Sequence, residues 1–378
     1  MNQHDCVVVG ASFAGLACAS ALAQSGARVT VIERKSSAGE KLHTTGILVR
    51  DVVDQVPLLD GLPSQLVRRV DGVRLYAPNM RHVDLDAPGY YFLATDTPAM
   101  MDWLAGKAEA AGARMCWNTL FSGARREASG FDLGGDVGST RYLVGADGPR
   151  SSVARALGLG QCTKFLEGIE HEFEGVTIPE SGRLHCFIDK RLMPGYIGWM
   201  VQGAGVTQVG LARRQLDRQG AGGEARDVSL KHAMAAFLDK IAPVFDFRGR
   251  VPHSIRAGLI PCGGVVKPAA ARRVLLVGDA AGMVSPVTAG GIHTALYHGL
   301  LTGHAIADFL SGRGPDPVEH LAQTYPTFRL KRLLRFLFDH FQTDWAFNLL
   351  LATKPMREAA SLVYFHRRGI VEDREGST

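Results

Sequence analysis

Gly10, Ser12, Gly15 and Glu33 are the first residues whose types and spacing promise chemistry. They lie in the stretch DCVVVGASFAGLACASALAQSGARVTVIER, Asp5 to Arg34. Gly10 permits a tight turn out of a strand, and Gly15 lets the following helix pack close to a sheet. The free N–H groups of the helix's first turn, around Ala14, suit a pyrophosphate, and the helix dipole reinforces them. Glu33, 18 positions after Gly15, can accept hydrogen bonds from ribose hydroxyls, and its charge would repel a 2′-phosphate. Ser12 takes the place of a middle glycine. Its small hydroxyl allows close approach or bonds a phosphate oxygen itself. The pattern predicts binding of an adenine dinucleotide.

A second stretch carries matching chemistry far along the chain: RRVLLVGDAAGMVSPVTAGGIHTA, Arg272 to Ala295. Val274–Val277 reads as a buried strand, Gly278–Gly282 as a tight exit, and Gly290-Gly291-Ile292 as the opening of a helix that runs to about Leu310. Asp279, at the strand end, can receive hydrogen bonds from ribityl hydroxyls. The N–H groups near Gly291 and Ile292 can stabilise negative charge on a reduced flavin ring.

Other polar residues are candidates by position. His293 follows the helix opening and could donate a proton; His43, beside Thr44, could do the same. Thr45 and Gly46 sit in a segment expected to pass beside the cofactor. His171, Tyr196 and Trp199 are expected to line a substrate pocket. Glu170, Glu172 and Glu174 alternate along one strand and read as a solvated face. Neither a metal-ligand spacing nor a serine triad is visible.

The elements that must position these residues follow from apolar periodicity. Cys6–Val9 and Val29–Ile32 are buried strands around a small-residue helix that stops near Gly26. Val73–Tyr76 and His82–Leu85 form a hairpin around Ala77–Met80, Tyr90–Thr95 is a strand, and Ala99–Ala111 is a helix. Arg141–Gly148 is a strand ending in an acid–glycine turn, with a helix after Pro149. From Phe165 to about Gly258 short alternating runs predict an antiparallel sheet, with a helix over Val228–Ile241 and a mobile glycine-rich loop over Arg213–Arg226. Beyond Leu310 the chain turns helical. FRLKRLLRFL, Phe328–Leu337, is basic and amphipathic and predicts either a helical cap or a lipid-facing surface.

Composition bounds the class. The chain of 378 residues is 46% apolar and 21% charged, which is globular and long enough for two lobes. A net charge of +5, without a dense basic stripe, argues against nucleic acid. The six cysteines are scattered without a CxxC, as expected of a reduced, cytoplasmic protein. A strand at the very start leaves no room for a signal peptide, and no apolar run approaches the ~20 residues of a membrane span.

Taken together, Gly10–Glu33, Asp147-Gly148 and Gly278-Asp279…Pro286…Gly290-Gly291-Ile292 resemble flavoprotein monooxygenases of the p-hydroxybenzoate hydroxylase fold. Pro194-Gly195-Tyr196-Ile197-Gly198-Trp199, then Gln208-Val209-Gly210-Leu211, and Ala257–Pro261 leading into VGDAAG, resemble the geranylgeranyl reductase branch of that group. The resemblance covers about residues 5 to 310. It implies FAD, its ADP half held by Gly10, Ser12, Ala14, Gly15, Glu33 and Arg34. Asp279 would contact the ribityl–pyrophosphate region, Gly290–Ile292 the pyrimidine edge, and Pro286 would shape the ring pocket. Asp147 and Gly148 would support the cleft. Three positions depart from the branch: Thr44-Thr45 replace a cysteine before the glycine, Thr97 stands for an arginine, and Met200-Val201-Gln202 replace an aromatic–proline pair.

The expected architecture is α/β: a Rossmann-like FAD-binding domain with an inserted antiparallel-sheet substrate domain and a C-terminal helical region. The FAD-binding domain would comprise 1–72, 96–164 and 255–312, the substrate domain 73–95 and 165–254, and the helical cap 313–378. The expected activity is hydride transfer from reduced FAD to an alkene of an apolar isoprenoid or lipid-like substrate. A flavin monooxygenase (hydroxylase or halogenase) and an inactive flavin-bound carrier are the alternatives. Electrons would come from NAD(P)H or an external reductase as partner, and membrane contact would be at most peripheral, through the C-terminal helices.

Overall fold

The computed structural model describes residues 3–215 and 229–365. Its first sheet is parallel at its centre, in the order β18 (Val274–Leu276), β11 (Ser139–Gly145), β1 (Gln3–Val9), β2 (Val29–Ile32), β8 (Arg114–Cys116). β17 (Ala270–Ala271) edges β18, and the hairpin of β9 (Arg125–Glu127) and β10 (Gly130–Asp132) leans on β11. β1 is buried on both sides because its residues alternate between two apolar clusters. Cys6 and Val8 enter one, with helix α1 (Phe13–Gln24); Val7 and Val9 enter the other, with Val153 of α4 (Ser152–Leu157).

α1 is buried along nearly its whole circumference, which its small side chains permit. The long helix α6 (Ile292–Leu310) crosses it at close range. A Cβ at Gly299 would overlap Ala14 O, and one at Gly303 would stand 2.5 Å from Cys18 O. The two helices meet backbone against side-chain-free backbone, which fixes α6 relative to the nucleotide-type turn.

The second sheet runs β16 (Ser254–Pro261), β12 (Phe165–Glu174), β15 (Val206–Arg214), β14 (Gly198–Gln202), β13 (Arg183–Phe187), β5 (Gly72–Tyr76), β6 (His82–Asp86). It is antiparallel except between β13 and β5, which pair parallel. The β5–β6 hairpin arrives from a distant part of the chain, so no hairpin turn dictates its direction. Three expected boundaries change. β16 pairs along its whole length with β12, so the sheet runs on to Pro261 and a border at 254/255 would cut a strand. β7 (Phe92–Thr95) belongs instead to a small third sheet with β3 (Ile47–Val49) and β4 (Val67–Val70), elements too short to show periodicity. The helix expected from Ala99 begins at Thr97, as α3 (Thr97–Ala110), because the Asp96 carboxylate accepts the Ala99 N–H and caps it.

One face of the second sheet packs on α5 (Leu230–Ile241) through Ile169, Phe173, Met200, Val209 and Leu211. Of the expected loop Arg213–Arg226, residues 216–226 lie outside the described residues, as does Val228. The opposite face carries Leu75, Cys186, Ile197, Trp199 and Val201. After α6, α7 (Pro317–Ala322) packs on the first lobe; α8 (Arg329–Phe341), α9 (Asp344–Leu350) and α10 (Lys354–Phe365) follow it towards the second sheet, where Leu351 and Phe365 are buried on this face. Helix α2 (Arg50–Gln55) completes the first lobe. No helix among the described residues is long and apolar enough to cross a membrane.

Candidate functional site

The turn from β1 into α1 has the geometry its sequence predicts. Gly10 has φ +105°, and a Cβ there would lie 2.5 Å from Ala146 O at the end of β11. At Gly15 a Cβ would overlap Gly10 O. Glu33 is buried at the end of β2, where Oε2 accepts the Ala11 N–H (2.8 Å) and Oε1 the Lys35 N–H (3.0 Å). The carboxylate thus braces the turn and keeps lone pairs for hydroxyl donors. Arg34 is exposed beside it.

Two expected phosphate- or cleft-side residues turn inward. The Ser12 hydroxyl donates to Ala146 O (3.0 Å) and accepts the Gly15 N–H (3.3 Å). It is the N-cap of α1, and its proton is committed to the backbone rather than to a phosphate. The Asp147 carboxylate accepts from Ser151, from both the N–H and hydroxyl of Ser152, and from the Val153 N–H, at 2.6–3.2 Å. It fastens the start of α4, with Gly148 at φ +84° beside it, and so positions the cleft wall.

Asp279 closes the other end. It sits in the tight turn after β18, and its Oδ1 is 3.6 Å from the Cβ position of Gly291 at the start of α6. Its carboxylate accepts no hydrogen bond from the described residues, and burial alone pushes it up to about 6. Ala14, Gly278 and Gly299 converge here; the Ala14 Cβ is 3.0 Å from the Cβ position of Gly278. A partly exposed carboxylate without a hydrogen-bond partner among the described residues, set between two side-chain-free backbone turns, is a cradle for the polyol and pyrophosphate of a dinucleotide, and the residues present fit FAD. Pro286 is buried in the loop leading to Gly290, a loop closed by Ser285 N–H to Gly290 O (3.1 Å).

That loop reaches the second sheet through Tyr196, whose hydroxyl donates to Thr288 O. Tyr196 is thereby a bridge between lobes, its phenol pushed up by burial. A second bridge lies at the sheet's other side. His43 Nδ1 is 2.6 Å from Ala257 O, and a Cβ at Gly258 would lie 2.7 Å from His43 Cβ. Between the two bridges the sheet presents the cross-strand row Gly258–Gly168–Ala212, almost bare of side chains. The two loops expected at the cofactor ring are thus joined to opposite ends of one flat, small-residue floor.

The next row on that face is polar and buried. Arg256, Glu170, Gly210 and Trp199 lie side by side on β16, β12, β15 and β14. Trp199 Nε1 donates to Glu170 Oε2 (2.8 Å). Arg256 Nη2 donates to Glu172 Oε2 (2.7 Å), and its Nη1 donates to Thr44 O (3.1 Å) and lies 3.8 Å from Glu170 Oε1. Gln208 donates to Thr45 O (3.0 Å). From beneath, Thr97 also donates to Thr45 O (3.1 Å), and Gly46, at φ +74°, leaves no room for a Cβ against the Thr97 hydroxyl. A threonine where the related branch has arginine is therefore part of how this loop is held.

This cluster corrects two expectations at once. Glu170 and Glu172 are not solvated; they are 4% and 5% exposed. His171, expected in the pocket, points to the α5 side, its ring edge-on to Phe173 at 6.2 Å. β12 is an interior strand covered on both faces, and its parity places the acids on the 44–46 loop side. Only Glu174, at the strand end, is exposed. Of the two candidate catalytic histidines, His43 has one nitrogen tied to the sheet, and the His293 ring lies edge-on to the outward-facing Tyr297 at 6.5 Å. The available signal for Glu170 was its alternation with Ile169, His171 and Phe173 on a ten-residue strand long enough to lie inside a sheet.

Known proteins resemble this chain over most of its length. A family model described as "FAD binding domain" matches residues 3–199. The chain is 30% identical over 321 residues to digeranylgeranylglycerophospholipid reductase 2 of Methanopyrus kandleri, covering 81% of this chain and 77% of that one. It is 28% identical to a menaquinone reductase of Mycobacterium tuberculosis, covering 88% and 81%. A geranylgeranyl bacteriochlorophyll reductase-like protein of Thermoplasma acidophilum superposes with a TM-score of 0.80 at 17% identity, over 99% of each chain.

Proposed function

This chain belongs to the FAD binding domain family, and from that premise we propose that it saturates a carbon–carbon double bond of an isoprenoid lipid. It is an FAD-dependent oxidoreductase; the substrate class is our reading. The observation that carries it is the kinship with reductases named for digeranylgeranylglycerophospholipid and for menaquinone, molecules with isoprenoid chains.

Bound and reduced, FAD supplies the hydride. The protein's own residues do the rest. Glu33 and Gly10–Gly15 would hold the adenosine and pyrophosphate end, and Asp279 the ribityl end. Tyr196, bonded to Thr288 O, and His43, held at Ala257 O, would fix the two loops on either side of the ring, and the C-terminal helices would help to exclude water. NAD(P)H docking at the flavin, or a separate reductase, is the proposed electron source.

The same reading places substrate entry at a membrane surface, with the protein otherwise cytoplasmic. Trp345, Leu349 and Phe336 are 69%, 67% and 53% exposed, and α8 adds the exposed Arg329 and Arg332, a pairing of apolar and cationic groups that favours an anionic bilayer. Cosedimentation with vesicles containing anionic lipid, lost in a Trp345→Ala/Leu349→Ala variant, tests that contact.

Turnover without oxygen tests the reaction. Chemically reduced holoprotein mixed anaerobically with digeranylgeranylglycerophospholipid is expected to turn yellow and return a product heavier by H2. Turnover that needs oxygen would make the protein a monooxygenase instead.

A further inference from the structure

We propose that Glu170 is the acid that protonates the second carbon of the substrate double bond. The proposal rests on the alkene-reductase reading above. Saturation needs one hydride and one proton on adjacent carbons, and only the hydride comes from the cofactor. A proton donor must therefore reach into a site from which water is excluded.

Glu170 meets the geometric requirements. It is 4% exposed, in the middle of an interior strand, on the sheet face that looks at the 44–46 loop. It lies two residues from Gly168, about 7 Å along the strand, beside the bare floor that joins the two ring-side loops. Its Oε2 is held by the Trp199 indole, whereas Oε1 is buried without a hydrogen-bond partner. One oxygen is oriented and the other is left for a proton. Gly210 is what allows this arrangement: the Trp199 ring lies over it, and a Cβ there would be 2.6 Å from Trp199 Cε2.

The charges around Glu170 suit an acid rather than a fixed anion. Those facing it are Glu172 on its own strand and Arg256 on β16; Trp199 reaches it from β14 and Thr45 from the 43–46 loop. Arg256 makes its close pair with Glu172 at 2.7 Å and approaches Glu170 Oε1 no nearer than 3.8 Å. Two carboxylates thus share one guanidinium, and burial, the largest influence, lifts Glu170 to about 7, opposed by the Thr45 hydroxyl, Trp199 and Arg256. Burial thus favours the protonated carboxyl far more than at an ordinary glutamate.

In the step itself the alkene gains a hydride from the reduced cofactor on one carbon and the Glu170 Oε1 proton on the other. The O–H bond breaks as the second C–H bond forms. The carboxylate left behind takes a proton from water, and the balance is H2 added to C=C with the flavin oxidised.

Glu170→Gln, compared with wild type, tests this in two independent ways. In holoprotein labelled with 15N-tryptophan, the Trp199 indole N–H resonance of wild type is expected to titrate near pH 7, and that of the variant to stay fixed. In anaerobic mixing with digeranylgeranylglycerophospholipid, the variant is expected to be reduced by dithionite as wild type is, but to be reoxidised by the lipid about a hundredfold more slowly or worse. An indole signal that does not titrate in wild type overturns the proposal. So does a variant that oxidises at the wild-type rate, which would leave the reductase reading standing. A wild-type protein that no alkene reoxidises overturns both.

Discussion

The Trp199 indole reaches Glu170 across the bare Cα of Gly210, with a 2.8 Å hydrogen bond joining β14 to β12 over the strand between them. A cross-sheet contact of this length exists because the intervening residue has no side chain. Replacing Gly210 with alanine puts a Cβ 2.6 Å from Trp199 Cε2 and 2.8 Å from Ile169 O. The ring and strand must shift, so the variant is expected to lose about 1–3 kcal/mol of stability. Urea unfolding followed by tryptophan fluorescence would show both the lower midpoint and a changed native spectrum, with FAD still bound.

Glu33 braces the first turn through two backbone N–H groups and is placed to meet a ribose. Glu33→Ala is expected to weaken FAD by about 1.5–3 kcal/mol, the worth of hydrogen bonds to a charged group. Titration of apoprotein with FAD, read by flavin fluorescence, should show a dissociation constant at least tenfold higher. An unchanged constant would place the adenosine end elsewhere.

The contact between α1 and α6 carries the second half of the cradle. Gly303→Leu introduces side chain where even a Cβ would stand 2.5 Å from Cys18 O. The helices must separate, moving Gly291 away from Asp279. A drop of about 1–3 kcal/mol, with partial loss of yellow colour on gel filtration, is the expected result.

Glu170 also sets a pH dependence of stability. Its carboxyl rises from an ordinary 4.5 to about 7 on folding, so between those values the native chain binds more protons than the unfolded chain. Stability attributable to this group therefore falls as pH rises from about 4.5 to 7 and is level above. Asp279, lifted from 3.8 to about 6, acts in the same direction. Glu170→Gln, which never ionises, is expected to flatten the decline in urea midpoint across that window. A variant that retains the full wild-type slope would contradict this.

What the sequence determined by itself is local. Strand, turn, helix, strand and acid from Cys6 to Glu33 lie within one short run of chain, so their spacing alone specifies the cradle. The same holds for Gly278-Asp279 and Gly290–Ile292. The roles of Ser12 and Asp147 were less legible, because a hydroxyl or carboxylate at a helix start can serve the ligand or the helix, and both serve the helix. The parity of β12 was decided only by tertiary structure. Alternation divides Glu170 and Glu172 from His171, but which set meets the pocket depends on α5 covering one face and the 44–46 loop with the C-terminal helices covering the other. Those elements lie far away in sequence, and the burial that turns a solvent-type acid into a proton-bearing one exists only once they have packed.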